Sequence, residues 1–355
     1  MSKAKVVVGM SGGVDSSVVA LLLKNAGYDV IGLFMHNWHE TSDQGTCSAE
    51  EDYSDVRRVA NILSIPYYTV DLSKQYSERV FKLFIDEYKQ GRTPNPDVLC
   101  NREIKFGQFK DYATKIDAEY IATGHYAGIT DDQDGIHLTR ARDENKDQTY
   151  FLNQVETSQF KNVIFPLSNL TKSEVREIAK VNGLSTAEKK DSTGICFIGE
   201  RNFRKFLANY IPMQEGEIRD LDGKYLGRHS GVFNYTIGQR KGFGIGGGGN
   251  GLPYFVIKKD VKNNILYVNQ GECDLLYTKE LIANNFNYIN ATLSGGESVL
   301  VRTRHRQKLT KAFVYPNEAS NSVKIVFEEK VRAITPGQYA VVYKDKICVG
   351  GGVIE

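Results

Sequence analysis

KVVVGMSGGVDSSVVALLLK, residues 5–24, reads as a buried strand, a glycine turn and a helix. Lys5–Met10 is an apolar run of strand character, Ser11-Gly12-Gly13 forms the turn, and from Asp15 to Lys24 the residues Val18, Leu21 and Leu22 suit one buried helical face. A strand entering a helix through glycines points the free N–H groups of the helix start at whatever lies above them. Together with the hydroxyls of Ser11, Ser16 and Ser17 they make an anion site that the backbone can approach closely. No Lys follows the glycines, so the loop is not a Walker A loop. A tight strand-to-helix connection capped by Asp15 or Ser16 would use the same pattern, and the two readings stay open on these residues alone.

Outward from this unit the same rhythm continues. Val30–Phe34, Tyr67–Val70 and Tyr120–Thr123 read as further strands, with helical patterns between them: Val80, Phe81, Phe84 and Tyr88 stopped by Gly91, and a capping box of Thr171 and Glu174 before Val175, Ile178 and Ala179, stopped by Gly183. Alternation of this kind predicts an α/β domain with a parallel sheet over residues 1–205. The chain then turns Gly-rich and β-patterned, predicting a small central β-rich domain over 206–275. Short alternating runs from 276 to 355 predict a C-terminal β-barrel. The 355 residues are 41% hydrophobic and 25% charged, an ordinary globular composition. No apolar run approaches the roughly 20 residues a bilayer span requires, and the start lacks the pattern of a signal peptide, so a cytoplasmic location is expected. The net charge of +2 decides nothing about nucleic acid, which leaves local clustering to argue from.

Five cysteines (Cys47, Cys100, Cys196, Cys273 and Cys348) with no CxxC pair disfavour a disulfide framework or a zinc site. Two of them stand in distinctive company. TPNPDVLCN, residues 93–101, presents Asp97 and Cys100 on a segment stiffened by Pro94 and Pro96, while DSTGICFIGE, residues 191–200, sets Cys196 between Ile195 and Phe197, where a buried thiol is the bland reading. Arg302, Arg304, Arg306 and Lys308 occupy every second position of a β-patterned stretch. If the strand persists, four cations share one face, either as a phosphate-tracking stripe or as a solvated face. As a stripe it implies a salt slope of roughly −3 on the single-strand scale.

The string SGGVDSS resembles the phosphate loop of N-type ATP pyrophosphatases. That resemblance implies cleavage of ATP to AMP and pyrophosphate, with Gly9, Met10, Ser11, Gly12, Gly13, Val14, Asp15 and Ser16 around the phosphates and Asp15 helping to place Mg²⁺. Met35 and Gly124 match its other nucleotide contacts. The order SGGVDSS, GRTPNPDVLCN, IATGHYA, DQTYFL, GICFIGE, YTIGQRKG and PGQ further resembles the tRNA-specific 2-thiouridylases over nearly the whole chain.

By that resemblance the chain replaces O2 of the wobble uridine of certain tRNAs with sulfur, using ATP and a persulfide. Cys196 would carry the sulfur, Cys100 would assist, with a Cys100–Cys196 disulfide as one route, and Asp97 would move protons. Asn95, Pro96 and Asp97 would surround the target base. His125, the segment Lys146, Asp147 and Gln148, the pair Arg304 and His305, and Gln338 would contact tRNA. A sulfur-donor protein, either a cysteine desulfurase or a relay protein, is implied as a partner. Two alternatives use fewer of the motifs: a ligase that adenylates a small molecule, which leaves both cysteine segments idle, and a noncatalytic ATP-responsive RNA-binding module.

Overall fold

The computed structural model describes residues 3–38, 48–191, 203–245 and 251–355. Cys196 and Cys47 lie outside the described residues, as do Gly246–Gly249. β1 (Lys5–Gly9), β2 (Asp29–His36), β3 (Tyr67–Asp71) and β4 (Tyr120–Ala122) form the expected parallel sheet. After the hairpin of β5 (Ala127–Asp132) and β6 (Gly135–Arg140), a two-residue strand β7 (Val163–Ile164) completes it in the order β3-β2-β1-β4-β7. β1 is central, and Val6, Val7 and Val8 are all fully buried because both faces of the sheet are covered. Successive side chains point to opposite faces, so Val7 joins a core with Leu33, Phe84 and Phe109, while Val6 and Val8 join another with Val18, Val56 and Val175.

The sheet grows from β1 toward β2 on one side and toward β4 on the other. The strand order therefore reverses at β1, and the crevice at the carboxyl ends of β1 and β4 is the place where such sheets take ligands. Helix α1 (Val14–Asn25) starts at this crevice. The capping box of Thr171 with Glu174 is formed, with Thr171 N donating to Glu174 Oε2 at 2.7 Å, and it opens the helix Lys172–Val181 on the same side as α1.

β8 (Gly216–Arg219), β9 (Tyr225–His229), β10 (Tyr254–Asp260) and β11 (Ile265–Gln270) make a small mixed sheet with its own core around Ile218, Tyr235 and Val256. β12 (Tyr277–Tyr288), β13 (Glu297–Arg302), β14 (Thr310–Asn317), β15 (Ser322–Arg332), β16 (Tyr339–Lys344) and β17 (Ile347–Ile354) form an antiparallel sheet that closes through a β12–β17 pairing. That is the expected barrel. An unanticipated feature is that β6 pairs with the start of β17, Cys348 opposite Leu138, so a hairpin from the N-terminal part of the chain extends the barrel sheet.

The strand carrying the expected cationic stripe ends at Arg302, which corrects the reading of Arg302–Lys308 as one face. Beyond it the chain turns, with Gln307 N donating to Arg304 O at 3.1 Å and Thr303 Oγ1 to Gln307 Oε1 at 2.7 Å. Arg302 points inward and ion-pairs with the buried Asp147 at 3.0 Å, whereas Arg304, Arg306 and Lys308 are exposed. Strand periodicity failed here because a buried carboxylate 155 residues away recruits the first cation.

Candidate active site

The glycine loop is closed by its own hydrogen bonds. Ser11 N donates to Ser16 Oγ at 3.2 Å, and Ser16 Oγ and Ser17 Oγ both donate to Gly13 O, at 3.1 and 2.8 Å. Gly12 adopts φ +76°, and a Cβ there would lie 2.5 Å from Asp52 O, so the turn admits only glycine. Gly124, leaving β4, sits close against the start of α1, where a Cβ would be 3.1 Å from both Asp15 Cβ and Ser16 N. Met35 near the end of β2 reaches to 3.7 Å from a Cβ built on Gly9. The loops holding Gly9–Ser16, Met35 and Gly124 therefore meet at the crevice.

Asp15 faces cations. Lys172 Nζ donates to both its carboxylate oxygens, at 2.6 and 2.7 Å, and Tyr126 OH donates to Oδ1 at 2.9 Å. Lys172 also reaches Asp191 at 2.9 Å, which in turn binds Lys146 at 2.6 Å and Arg176 at 2.7 Å. An ion chain thus runs from the phosphate loop through Lys172 and Asp191 to Lys146. Partial burial pushes the Asp191 carboxyl up, but the ammonium groups of Lys146 and Lys172 more than offset this and hold it at about 2. Lys172 and Tyr126 together fill three of the roughly four lone-pair positions of the Asp15 carboxylate.

The second segment is built on a helical turn, Pro96–Leu99, with Pro at its first position. Asn95 Oδ1 caps it by accepting from Asp97 N at 3.2 Å. Cys100 follows at once and begins a wide helical stretch, Cys100–Gln108, that continues into Phe109–Lys115. Phe109 lies 3.5 Å from a Cβ built on Gly9, so the helix carrying Cys100 packs against the phosphate loop. Burial pushes the Cys100 thiol up to about 11; Lys105 pulls it down and Asp97 pushes it up, both less strongly. Lys105 Nζ also lies 3.5 Å from His125 Nε2. An ammonium can only donate, so Nε2 accepts and Nδ1–H donates to Thr123 Oγ1 at 2.7 Å. His125 is buried and neutral, its pKa held well below the usual range by burial and then by Lys105.

The short helix Thr149–Leu152 gathers the remaining segments. Just before it, Gln148 exchanges hydrogen bonds with Tyr126 through its backbone N and its side-chain Oε1, both at 2.9 Å. Asn101, next to Cys100, donates to Phe151 O at 2.9 Å, and the His305 ring packs on Phe151 with centroids 4.4 Å apart and the rings tilted by 40°. Burial, then Arg306, Arg302 and Lys146, lower His305 to about 4, so it packs there as a neutral ring at pH 7. Asp147 accepts from Ala141 N, Thr149 Oγ1 and Arg302 Nη1, and Gln338 joins Tyr150 OH at 3.2 Å to Thr93 O at 2.8 Å.

Three family models tile the chain: the tRNA methyl transferase HUP domain over residues 4–200, the tRNA methyl transferase PRC-barrel domain over 204–270, and the aminomethyltransferase beta-barrel domain over 278–354. The tRNA-specific 2-thiouridylase MnmA 1 of Geobacillus kaustophilus is 55% identical over 359 residues, covering 100% of this chain and 96% of that protein. The chain belongs to the tRNA-specific 2-thiouridylase family. Another member, from Staphylococcus epidermidis, is 54% identical over 99% of this chain and 95% of its own length. Among solved structures, the U34-tRNA thiolase NcsA of Methanococcus maripaludis is similar at 17% identity and a TM-score of 0.36, covering 59% of this chain and 65% of that one.

Within this 2-thiouridylase fold, Gly9–Ser16, Met35 and Gly124 lie together, as do Asn95–Cys100 with the helix that Lys146, Asp147 and Gln148 precede and that His305 packs against. The sequence reading missed Lys172, Asp191 and Tyr126. Asp15, the partner of Lys172 and Tyr126, is 157 residues from Lys172, and the only local signal was the capping box that aims the start of the Lys172–Val181 helix at the crevice. Among the described residues no helix is long and apolar enough to cross a membrane.

Proposed function

We propose that the chain is a tRNA uridine 2-sulfurtransferase that consumes ATP, adenylates O2 of the wobble uridine and displaces the adenylate with a protein-borne sulfur. The full-length identity to 2-thiouridylases carries this reading, and a glycine loop packed against a helix that bears a buried thiol supports it. Uracil O2 is a poor leaving group. Attack by O2 on the α-phosphorus of ATP expels pyrophosphate, so that the oxygen later departs within AMP. The N–H groups at the start of α1 and the hydroxyls of Ser11 and Ser16 would hold phosphate oxygens. Lys172, already at the carboxylate of Asp15, would offer its charge to the same anion.

Sulfur would arrive as a persulfide on Cys196, supplied by a cysteine desulfurase or a relay protein. Attack of the Cys100 thiolate on the inner sulfur of Cys196 would form a Cys100–Cys196 disulfide and release the outer sulfur to C2 of the uracil ring as AMP leaves. A thiol reductant must then return two electrons to the disulfide. With its thiol pushed up to about 11, Cys100 is protonated at rest, so its proton must leave before attack, while Asp97, three residues earlier on the same helical turn, would move protons during the adenylation step. Asn95–Asp97 would surround the flipped base, with Lys146, Gln148, Arg304 and His305 on the RNA around it.

Incubation of the protein with tRNA, ATP and a persulfide source, followed by nucleoside mass analysis, tests the reading. The expected product is 2-thiouridine, with pyrophosphate released only when tRNA is present. Cys196→Ser should abolish thiolation while nucleotide binding persists. A methylated nucleoside, or pyrophosphate release with a small amine in place of tRNA, would overturn the proposal.

A further inference from the structure

The barrel motif Pro336-Gly337-Gln338 has no part in the thiolation chemistry, yet it grips the chain just ahead of the Asn95–Cys100 segment. Thr93 N donates to Pro336 O at 2.9 Å, and Thr93 O accepts from Gln338 Nε2 at 2.8 Å. Both backbone polar groups of Thr93 are thereby held by one short stretch of the barrel. The stretch is itself anchored: Gly337 N donates to Ile354 O at 2.9 Å, and Ile354 N donates to Gln338 O at 2.8 Å. Gly337 adopts φ +88°, and a Cβ there would lie 2.9 Å from Arg92 Cβ and Thr93 N, so the two backbones are in close contact. Gln338 is buried, and its Oε1 accepts from Tyr150 OH at 3.2 Å.

The chain beyond Thr93 is stiff. Pro94 and Pro96 fix their own φ and restrict the residues before them, and Asn95 caps the turn that carries Asp97 and Cys100. A displacement of Thr93 has few soft torsions to absorb it before Asp97. Beyond Cys100, Asn101 is tied to Phe151 O, one residue from Tyr150, so both ends of the segment are referred to the same short helix.

We propose that Pro336–Gln338 is a positioning strap that sets where Asp97 and Cys100 stand, with Gln338 acting through Thr93. The proposal deepens the thiolation reading and rests on it. In such a device a misplacement near 1 Å costs turnover on the order of 10²-fold and leaves substrate affinity largely alone.

Two full-length variants test it. Gln338→Glu turns the donor facing Thr93 O into an acceptor, and Gly337→Ala pushes on Arg92 and Thr93. Each is assayed for kcat and KM with tRNA, and for iodoacetamide labelling of Cys100 read by peptide mass spectrometry. Cys348, fully buried in the barrel, serves as the internal reference. The expected result in both is a kcat lowered roughly 10- to 100-fold at a nearly unchanged KM for tRNA, with faster labelling of Cys100 and unchanged labelling of Cys348. A raised KM with kcat intact would make Gln338 an RNA contact and overturn the strap. Unchanged Cys100 labelling overturns it whatever the kinetics, and so does a parallel rise at Cys348, which would report a loosened barrel. If the wild-type protein thiolates nothing, the function reading fails visibly while the labelling still reads the strap.

Discussion

Asp191 holds Lys146, Lys172 and Arg176 at once, and its low carboxyl pKa makes that junction measurable. In the unfolded chain an Asp titrates near ~3.9, and in the folded protein this one titrates at about 2. A depressed folded value contributes stability that is fully present above the unfolded pKa and is lost as pH falls toward the folded one. The urea midpoint of the wild-type protein should therefore drop as pH falls from ~4 to ~2, and Asp191→Asn should flatten that portion of the curve. An unchanged slope in the variant would remove Asp191 from the ion chain. Cys100 has the opposite character. Its thiol is pushed up to about 11 chiefly by burial, so alkylation should keep accelerating as pH rises past 9, the usual cysteine value. Lys105→Met should move that profile to still higher pH, because Lys105 is the group pulling the thiol down. A shift to lower pH would show that Lys105 acts on Cys100 by some route other than its charge.

Between residue and domain, the end of β13 decides what its basic stretch can do. Arg302 is buried on Asp147, and only Arg304, Arg306 and Lys308 remain on the surface, carried by a turn. Neutralising the three exposed cations should reduce the salt slope of tRNA binding by about 2, from ~0.7 per phosphate contact, measured as log affinity against log salt. Arg302→Met should leave that slope alone and instead destabilise the fold by about 3–5 kcal/mol, because it strands a buried carboxylate; a thermal melt distinguishes the two effects. The β1–turn–α1 unit was legible because its strand, glycines and helix are contiguous and each has a local physical signature. The capping box at Thr171 was legible for the same reason. The two-residue β7 leaves no periodicity to read, and Arg302 looked like its neighbours because what turns it inward lies 155 residues away.

Across the whole molecule, the parallel-sheet region and the barrel share one interior rather than meeting at a surface. Ile289, Tyr339, Val341, Tyr343 and Cys348 of the barrel belong to the same buried cluster as Val7, Phe84, Cys100 and Phe109. β6 finds its second neighbour in β17, Asp147 its cation in Arg302, and Thr93 its hydrogen bonds in Pro336 and Gln338. None of these joins could be read from sequence, since each links positions brought together only by the finished fold. Their loss, however, can be predicted together. A chain of residues 1–205 alone would expose the edge of β6, leave Asp147 without its cation and open the apolar surface that the barrel covers, a combination that invites aggregation. It should be recovered as aggregates or show no cooperative melt, and supplying residues 206–355 as a separate chain should restore soluble material and a single transition. An isolated 1–205 chain that melts cooperatively near the temperature of the whole protein would mean that the phosphate loop and the Cys100 helix are held by their own sheet, and that the barrel contacts serve RNA binding instead.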